Sequence, residues 1–200
     1  MLRTATALVC VALFIAIAQE SASQEKDGFV PLIKESDLSD WEGNTTAGWT
    51  LENGILRGRA DGGSPALLML KDRDPGDFEL RFEALVHKGS VRVKMRGPGP
   101  GPLGIAVEIN SNQVEVFTNG SSFFIAASNR PDEWNEYRVL FRGPNLKLWK
   151  NGIPAPYDLA GSWKKKGRLS LHLSDHEASD VSLRRLRIKE VEADHPEAKD

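Results

Sequence analysis

The sequence has a single cysteine, Cys10, and it lies inside the apolar stretch that begins the chain. An intrachain disulfide is therefore excluded, and a domain working outside a reducing compartment must be held by its core alone. Charge of one sign is also missing. The 26 Lys and Arg stand against 28 Asp and Glu, a formal net charge of −2. That balance excludes a general attraction to nucleic acid or to anionic membranes. No amphipathic helical period of useful length occurs, and no P-loop, dinucleotide fingerprint or Ser-His-Asp spacing is present. Nucleotide-binding and serine-hydrolase chemistry thus have no support. Beyond the first 18 residues no apolar run approaches the roughly 20 residues that cross a bilayer.

What the start of the chain does have is the pattern of a secretory signal. Arg3 is followed by an uncharged apolar run from Ala5 to Ala18, and then by small residues at Ala16, Ala18, Ser21 and Ser23. The run is short for a spanning anchor, which is the competing reading, and Cys10 lies too far inside it for a lipoprotein site. The expected organisation is a signal peptide over 1–23, one domain over 24–192 and a polar tail over 193–200. The expected location is periplasmic or extracellular, with no membrane attachment after cleavage. Losing Arg3 and Glu20 with the signal leaves the net charge at −2.

The rest is written in period two. Phe78, Leu80, Phe82 and Ala84 alternate with Glu79, Arg81 and Glu83. Val91, Val93 and Met95 alternate with Arg92, Lys94 and Arg96. Tyr137, Val139 and Phe141 alternate with Arg138 and Arg142, and Leu169, Leu171 and Leu173 with Arg168, Ser170 and His172. Each segment is a strand with one face in a core and one face in water. Asn53-Gly54, Asn119-Gly120 and Asn151-Gly152 supply hairpin turns. They pair Trp49–Leu51 with Ile55–Gly58, Val114–Thr118 with Ser122–Ala126, and Leu146–Lys150 with a short segment from Ile153. Pro154 confines that last partner to an edge. In the final strand the apolar phase slips at Arg184-Arg185, which predicts a β-bulge. About a dozen strands with regular turns predict an all-β fold, a two-sheet antiparallel β-sandwich.

Several phrases, taken in order, carry a resemblance. Phe29-Val30-Pro31-Leu32 with Asp37-Leu38-Ser39-Asp40-Trp41, Trp49-Thr50-Leu51-Glu52-Asn53-Gly54, Gly76-Asp77-Phe78-Glu79-Leu80, Trp134-Asn135-Glu136-Tyr137 and Trp149-Lys150-Asn151-Gly152 resemble the successive blocks of the bacterial 3-keto-disaccharide hydrolase family. The resemblance implies a concanavalin A-like jelly roll with a sugar site on its concave sheet. It also implies a partner that is a carbohydrate or an oxidised glycoside. A ketone at C3 of the sugar acidifies the proton at C2, and loss of that proton expels the group at C1. Such chemistry needs a base, a cation or divalent metal at the ketone, and an acid. The departures fall on polar positions. Ala106 stands where the family has a carboxylate, Glu108 where it has an amide, and His172 at another amide position, whereas Arg96 matches.

On this basis the expected catalytic set is Arg96 as electrophilic clamp, Glu108 as base and His172 as acid–base partner. Arg92, Lys94 and Glu83 are the expected substrate-binding residues. Each has a plainer reading: the cationic row is a solvated strand face, and Glu108 and Glu83 are ion-pair partners. His172, Asp175 and His176 are metal-ligand types. Their spacing on a strand end points them in different directions, so no metal site is assigned, though a divalent metal stays open as a cofactor. Trp41, Trp49 and Trp134 read as core, and Trp149 as either a sheet-packing or a sugar-stacking indole. The remaining alternatives are a non-catalytic carbohydrate-binding module and a purely structural domain.

Overall fold

The computed structural model describes residues 27–43, 48–98, 104–118, 121–127, 130, 133–156, 158–174 and 176–192. The chain divides into two units, 1–30 and 31–200, and of the first only 27–30 are described. All the strands from Trp41 onward lie in the second unit. The expected signal peptide and the tail over 193–200 lie outside the described residues.

Sixteen strands and no helix occur among the described residues. They are β1 (Val30–Pro31), β2 (Trp41–Gly43), β3 (Trp49–Glu52), β4 (Ile55–Ala60), β5 (Ala66–Leu70), β6 (Phe78–Lys88), β7 (Ser90–Gly97) and β8 (Ile105–Asn110). Then come β9 (Gln113–Thr118), β10 (Ser121–Ala127), β11 (Asn135–Arg142), β12 (Asn145–Lys150), β13 (Ile153–Pro154), β14 (Leu159–Ala160), β15 (Arg168–Leu173) and β16 (Ser179–Glu190). They form two antiparallel sheets. The first runs β13-β12-β11-β6-β16-β4-β3, with β14 beside β12. The second runs β10-β9-β8-β7-β15-β5-β2. This is the two-sheet sandwich that the alternation predicts, in the jelly-roll form that the resemblance implies.

The core lies between the sheets because both keep their apolar set on one side. Phe78, Leu80 and Phe82 of β6 are buried with Tyr137, Val139 and Phe141 of β11 in the first sheet. Val91, Val93, Val107, Ile109, Leu169 and Leu171 come from the second. The Phe82 and Tyr137 rings stack at 5.1 Å, and those of Phe78 and Phe141 lie 5.3 Å apart. Each such buried side chain contributes about 1.5–3 kcal/mol. That sum is what stabilises a domain without a cross-link.

The local devices follow the sequence. Asn53 (φ 52°) and Gly54 (φ 73°) turn β3 into β4, and Asn151 (φ 49°) and Gly152 (φ 77°) turn β12 into β13. Positive φ at both central residues is what a type I′ turn requires. The turn at Asn119-Gly120 lies outside the described residues, but the strands it joins pair as expected. Pro154 sits in the edge strand β13. The bulge in β16 is present between Arg184 and Arg187, with Arg185 at φ 53°.

A second bulge was not legible. Between Lys94 and Gly97 of β7 three steps are taken against two on β15, from Ser170 to Arg168. Arg96 there adopts φ 53°. A bulged residue changes the face to which its side chain points. That change moves Arg96 out of the row it shares in the sequence with Arg92 and Lys94.

Candidate functional site on the outer face of the second sheet

Register places the polar positions of the second sheet in two rows on the face turned away from the core. One row reads Leu67, His172, Arg92, Glu108, Glu115 across β5, β15, β7, β8 and β9. The next reads Met69, Ser170, Lys94, Ala106, Phe117 across the same strands. Side chains two apart on a strand, or opposite across a pair, are neighbours. Four of the expected site residues, Glu108, His172, Arg92 and Lys94, therefore come together in one patch.

Within the patch the groups are unequally committed. The Arg92 guanidinium donates to the Glu108 carboxylate and also lies 5.0 Å over the Phe117 ring. Glu108 is thus an ion-pair partner, the plainer of its two readings. His172 Nε2 lies 2.9 Å from the Ser170 hydroxyl oxygen. Burial, then the positive charges of Lys94 and Arg92, lower its pKa to about 4. The ring is therefore uncharged at neutral pH. Lys94 is only 6% exposed, and among the described residues it has no hydrogen-bond or ion-pair partner. Its cross-strand neighbours are Ser170 on one side and Ala106 on the other, and Ala106 brings no counter-charge. Burial and the nearby Arg92 lower the pKa of Lys94. Ser170, 2% exposed, was missed as a site residue, although its alternation with His172 puts both on one face.

Two expected site residues do not belong to this patch. Arg96 is 2% exposed, and its guanidinium faces the first sheet. It donates to the carbonyl oxygens of Gly76 (2.7 Å) and Gly143 (2.8 Å), pairs with Asp77 at 2.7 Å, and stacks 4.4 Å over Phe141. The bulge redirects it into a brace between β7 and the ends of β6 and β11, so it is no electrophilic clamp on the outer face. Glu83 is on the outer face of the first sheet, paired with Arg184 at 2.6 Å and Arg185 at 2.9 Å. It contacts nothing near Lys94, because β6 belongs to the other sheet.

Among the described residues no three His, Cys, Asp or Glu side chains gather as a metal cluster. Asp175 lies outside them, and His176 follows the end of β15. The positive groups that disfavour a proton on His172 would also disfavour a divalent cation, so the patch does not fit one. Trp41 and Trp49 are core, 2% and 1% exposed. Trp134 is only half-buried, on the outer face of the first sheet with Arg184 stacked 4.2 Å above it. Trp149 is held likewise by Arg138, also at 4.2 Å, which makes it a packed indole.

Comparison with known proteins gives this geometry a family. The model of the 3-keto-alpha-glucoside-1,2-lyase-like domain matches residues 28–189. The chain belongs to that family. Among curated proteins no sequence match is found. A protein provisionally described as a glycosyl hydrolase from Parabacteroides distasonis superposes with a TM-score of 0.65 at 14% identity, over 85% of this chain and 97% of that one. The carbohydrate-binding module CBM66 from Bacillus subtilis superposes with a TM-score of 0.62 at 15% identity, over 77% and 98%. The exoplasmic/lumenal domain of VIP36, in its Ca2+/Man3GlcNAc-bound form, gives 0.57 at 15%, over 84% and 90%. At such identities the likeness is one of fold. Together with the family it supports a carbohydrate-related function and a carbohydrate partner.

Proposed function

We propose that this is an exported glycoside-acting domain that holds a 3-keto-glycoside on the outer face of the second sheet and promotes its cleavage by proton transfer at C2. The observation that carries the reading is Lys94, a largely buried side chain whose amine reaches the surface with no partner among the described residues, beside an uncharged imidazole. An ammonium with little water around it and no counter-charge beside it gains from a polar ligand group. Lys94 takes the place first given to Arg96 and faces the sugar's ketone oxygen. His172 takes the role of base, because Glu108 is engaged by Arg92. The Arg92–Glu108 pair then serves to bind sugar hydroxyls. The N-terminal signal pattern supports export.

A non-catalytic carbohydrate-binding module is the second reading, and one observation favours it. The carboxylate expected as base is neutralised in an ion pair. The deciding experiment incubates the protein with a 3-keto-glucoside, with and without divalent metal, and measures substrate loss and calorimetric binding in parallel. Turnover that disappears in Lys94→Met and His172→Gln supports cleavage. Binding without turnover selects the module, and neither signal leaves a structural domain.

A further inference from the structure

We propose that Lys94 is a carbonyl-capturing amine, which forms a covalent imine with the ketone carbon of an oxidised sugar bound at this patch. The inference rests on the function proposed above and deepens it.

The three cations of β7 differ in one respect. Arg92 is paired with Glu108, and Arg96 with Asp77. Lys94 lies between them as a largely buried residue, and its Nζ reaches the surface with no partner among the described residues. The groups that face it are the Ser170 hydroxyl and the His172 imidazole from β15, the Ala106 methyl and the Glu108 carboxylate from β8, and Arg92 from its own strand. The one carboxylate among them belongs to Arg92. Nothing in this set stabilises an ammonium, and burial together with Arg92 disfavours it. A site built for an anion would do the opposite. The same causes make the unprotonated, nucleophilic form of Lys94 easier to reach, and the electrophile that an amine takes reversibly is an aldehyde or ketone.

The step balances without a co-reactant. The nitrogen lone pair of Lys94 attacks the carbonyl carbon, and the carbonyl electron pair moves to oxygen, which takes a proton. The nitrogen then loses a proton and expels the hydroxyl, which leaves as water with a second proton. One water is released for each imine formed. The hydrogen-bonded pair of His172 and Ser170, on the neighbouring strand, is placed to pass those protons. A protonated imine withdraws electrons from the adjacent carbon more strongly than a ketone does, so it eases loss of the C2 proton.

The test is reductive trapping. The full chain is incubated with a 3-keto-glucoside and sodium cyanoborohydride, and the product is mapped by peptide mass spectrometry, with calorimetric binding measured on the same preparations. The expected product is an adduct of the sugar less one oxygen atom, on Lys94, at about one per chain. It should fall at least roughly tenfold in Lys94→Met and in Lys94→Arg, the latter keeping the charge but no usable lone pair. Circular dichroism verifies that both variants fold. Binding without an adduct on Lys94 overturns the imine and leaves the proposed function standing. An adduct spread equally over exposed lysines also overturns it. Absence of both binding and adduct overturns the imine together with the function on which it rests.

Discussion

Replacing Arg96 by Ala should unfold this protein far more readily than it changes any ligand contact. The guanidinium makes three kinds of interaction at once. It pairs with Asp77, whose side chain is only 11% exposed, satisfies the carbonyls of Gly76 and Gly143, and covers the Phe141 ring. Removing it leaves Asp77 with only the Gly143 N–H, at 3.0 Å, among the described residues. It also leaves two carbonyls without their donor. Breaking a buried ion pair from one side costs about 3–5 kcal/mol, and the carbonyls of half-buried Gly76 and exposed Gly143 add less, because water can replace their donor. The costs overlap, so a total of about 4 kcal/mol is expected. For a domain whose whole stability is on the order of 5–15 kcal/mol, that is a large share, and it lowers the melting temperature by about 10 °C. Lysine at position 96 restores a charge but cannot reach both carbonyls, and should recover roughly half the loss. Denaturant unfolding at pH 7 reads the result directly. A loss below about 1 kcal/mol would refute the brace. So would a variant of unchanged stability that no longer binds or cleaves sugar, because that outcome belongs to a residue on the outer face.

The remaining predictions concern protons, space and the opposite face. His172 has a folded pKa of about 4 against an ordinary 6.5. Its stabilising contribution is therefore present above pH 6.5 and is lost as pH falls through 4, by about 3 kcal/mol in all. Denaturant midpoints at pH 7 and 4.5 should differ less in His172→Gln, and an equal difference would reject the assignment. Gly58→Ala puts a methyl 2.6 Å from the Trp49 ring and should cost about 1–3 kcal/mol. Gly54→Ala meets nothing within 4 Å, but its φ of +73° should still cost about 1 kcal/mol. Thermal unfolding ranks the two. Glu83→Gln, on the other sheet, should leave calorimetric binding of a keto-glucoside unchanged, whereas Glu108→Gln should weaken it.

The fold was legible because its signals are local and repeated. Phe78 to Ala84, and Val91 to Met95, declare their faces by alternation, and Asn53-Gly54 declares its turn. The bulge in β16 could be read because the apolar phase slips visibly from Leu183 to Leu186. The bulge in β7 could not. Met95 is followed by Arg96 and then by Gly97, with no later apolar residue to reveal the change of phase. That one gap misplaced the strongest expected site residue. The pairing of Arg92 with Glu108 was likewise beyond strand-by-strand reading, since it depends on the register of β7 against β8. Glu83 lies apart from the other expected residues for the same kind of reason, because alternation gives a face but does not say to which sheet the face belongs.

The two outer faces also show why Lys94, and not some other charged side chain, marks the site. On the first sheet several charges are paired with one another. Glu79 lies between Arg81 and Arg138, Glu83 between Arg184 and Arg185, Arg57 pairs with Asp180, and Lys147 with Asp158. Such ion pairs contribute little stability beyond keeping the face wet. On the second sheet the pairing stops one residue short. Arg92 has its carboxylate two residues away from Lys94 along β7, but the position opposite Lys94 on β8 is Ala106. A carboxylate there would give Lys94 a counter-charge of its own. Without it the largely buried Lys94 has no counter-charge among the described residues and lies beside an imidazole that stays uncharged. A sandwich whose only task was to stay folded would gain by replacing that lysine with an apolar residue, because a largely buried lysine without a counter-charge weakens the sheet it sits on. The cost is offset when a ligand supplies the missing partner.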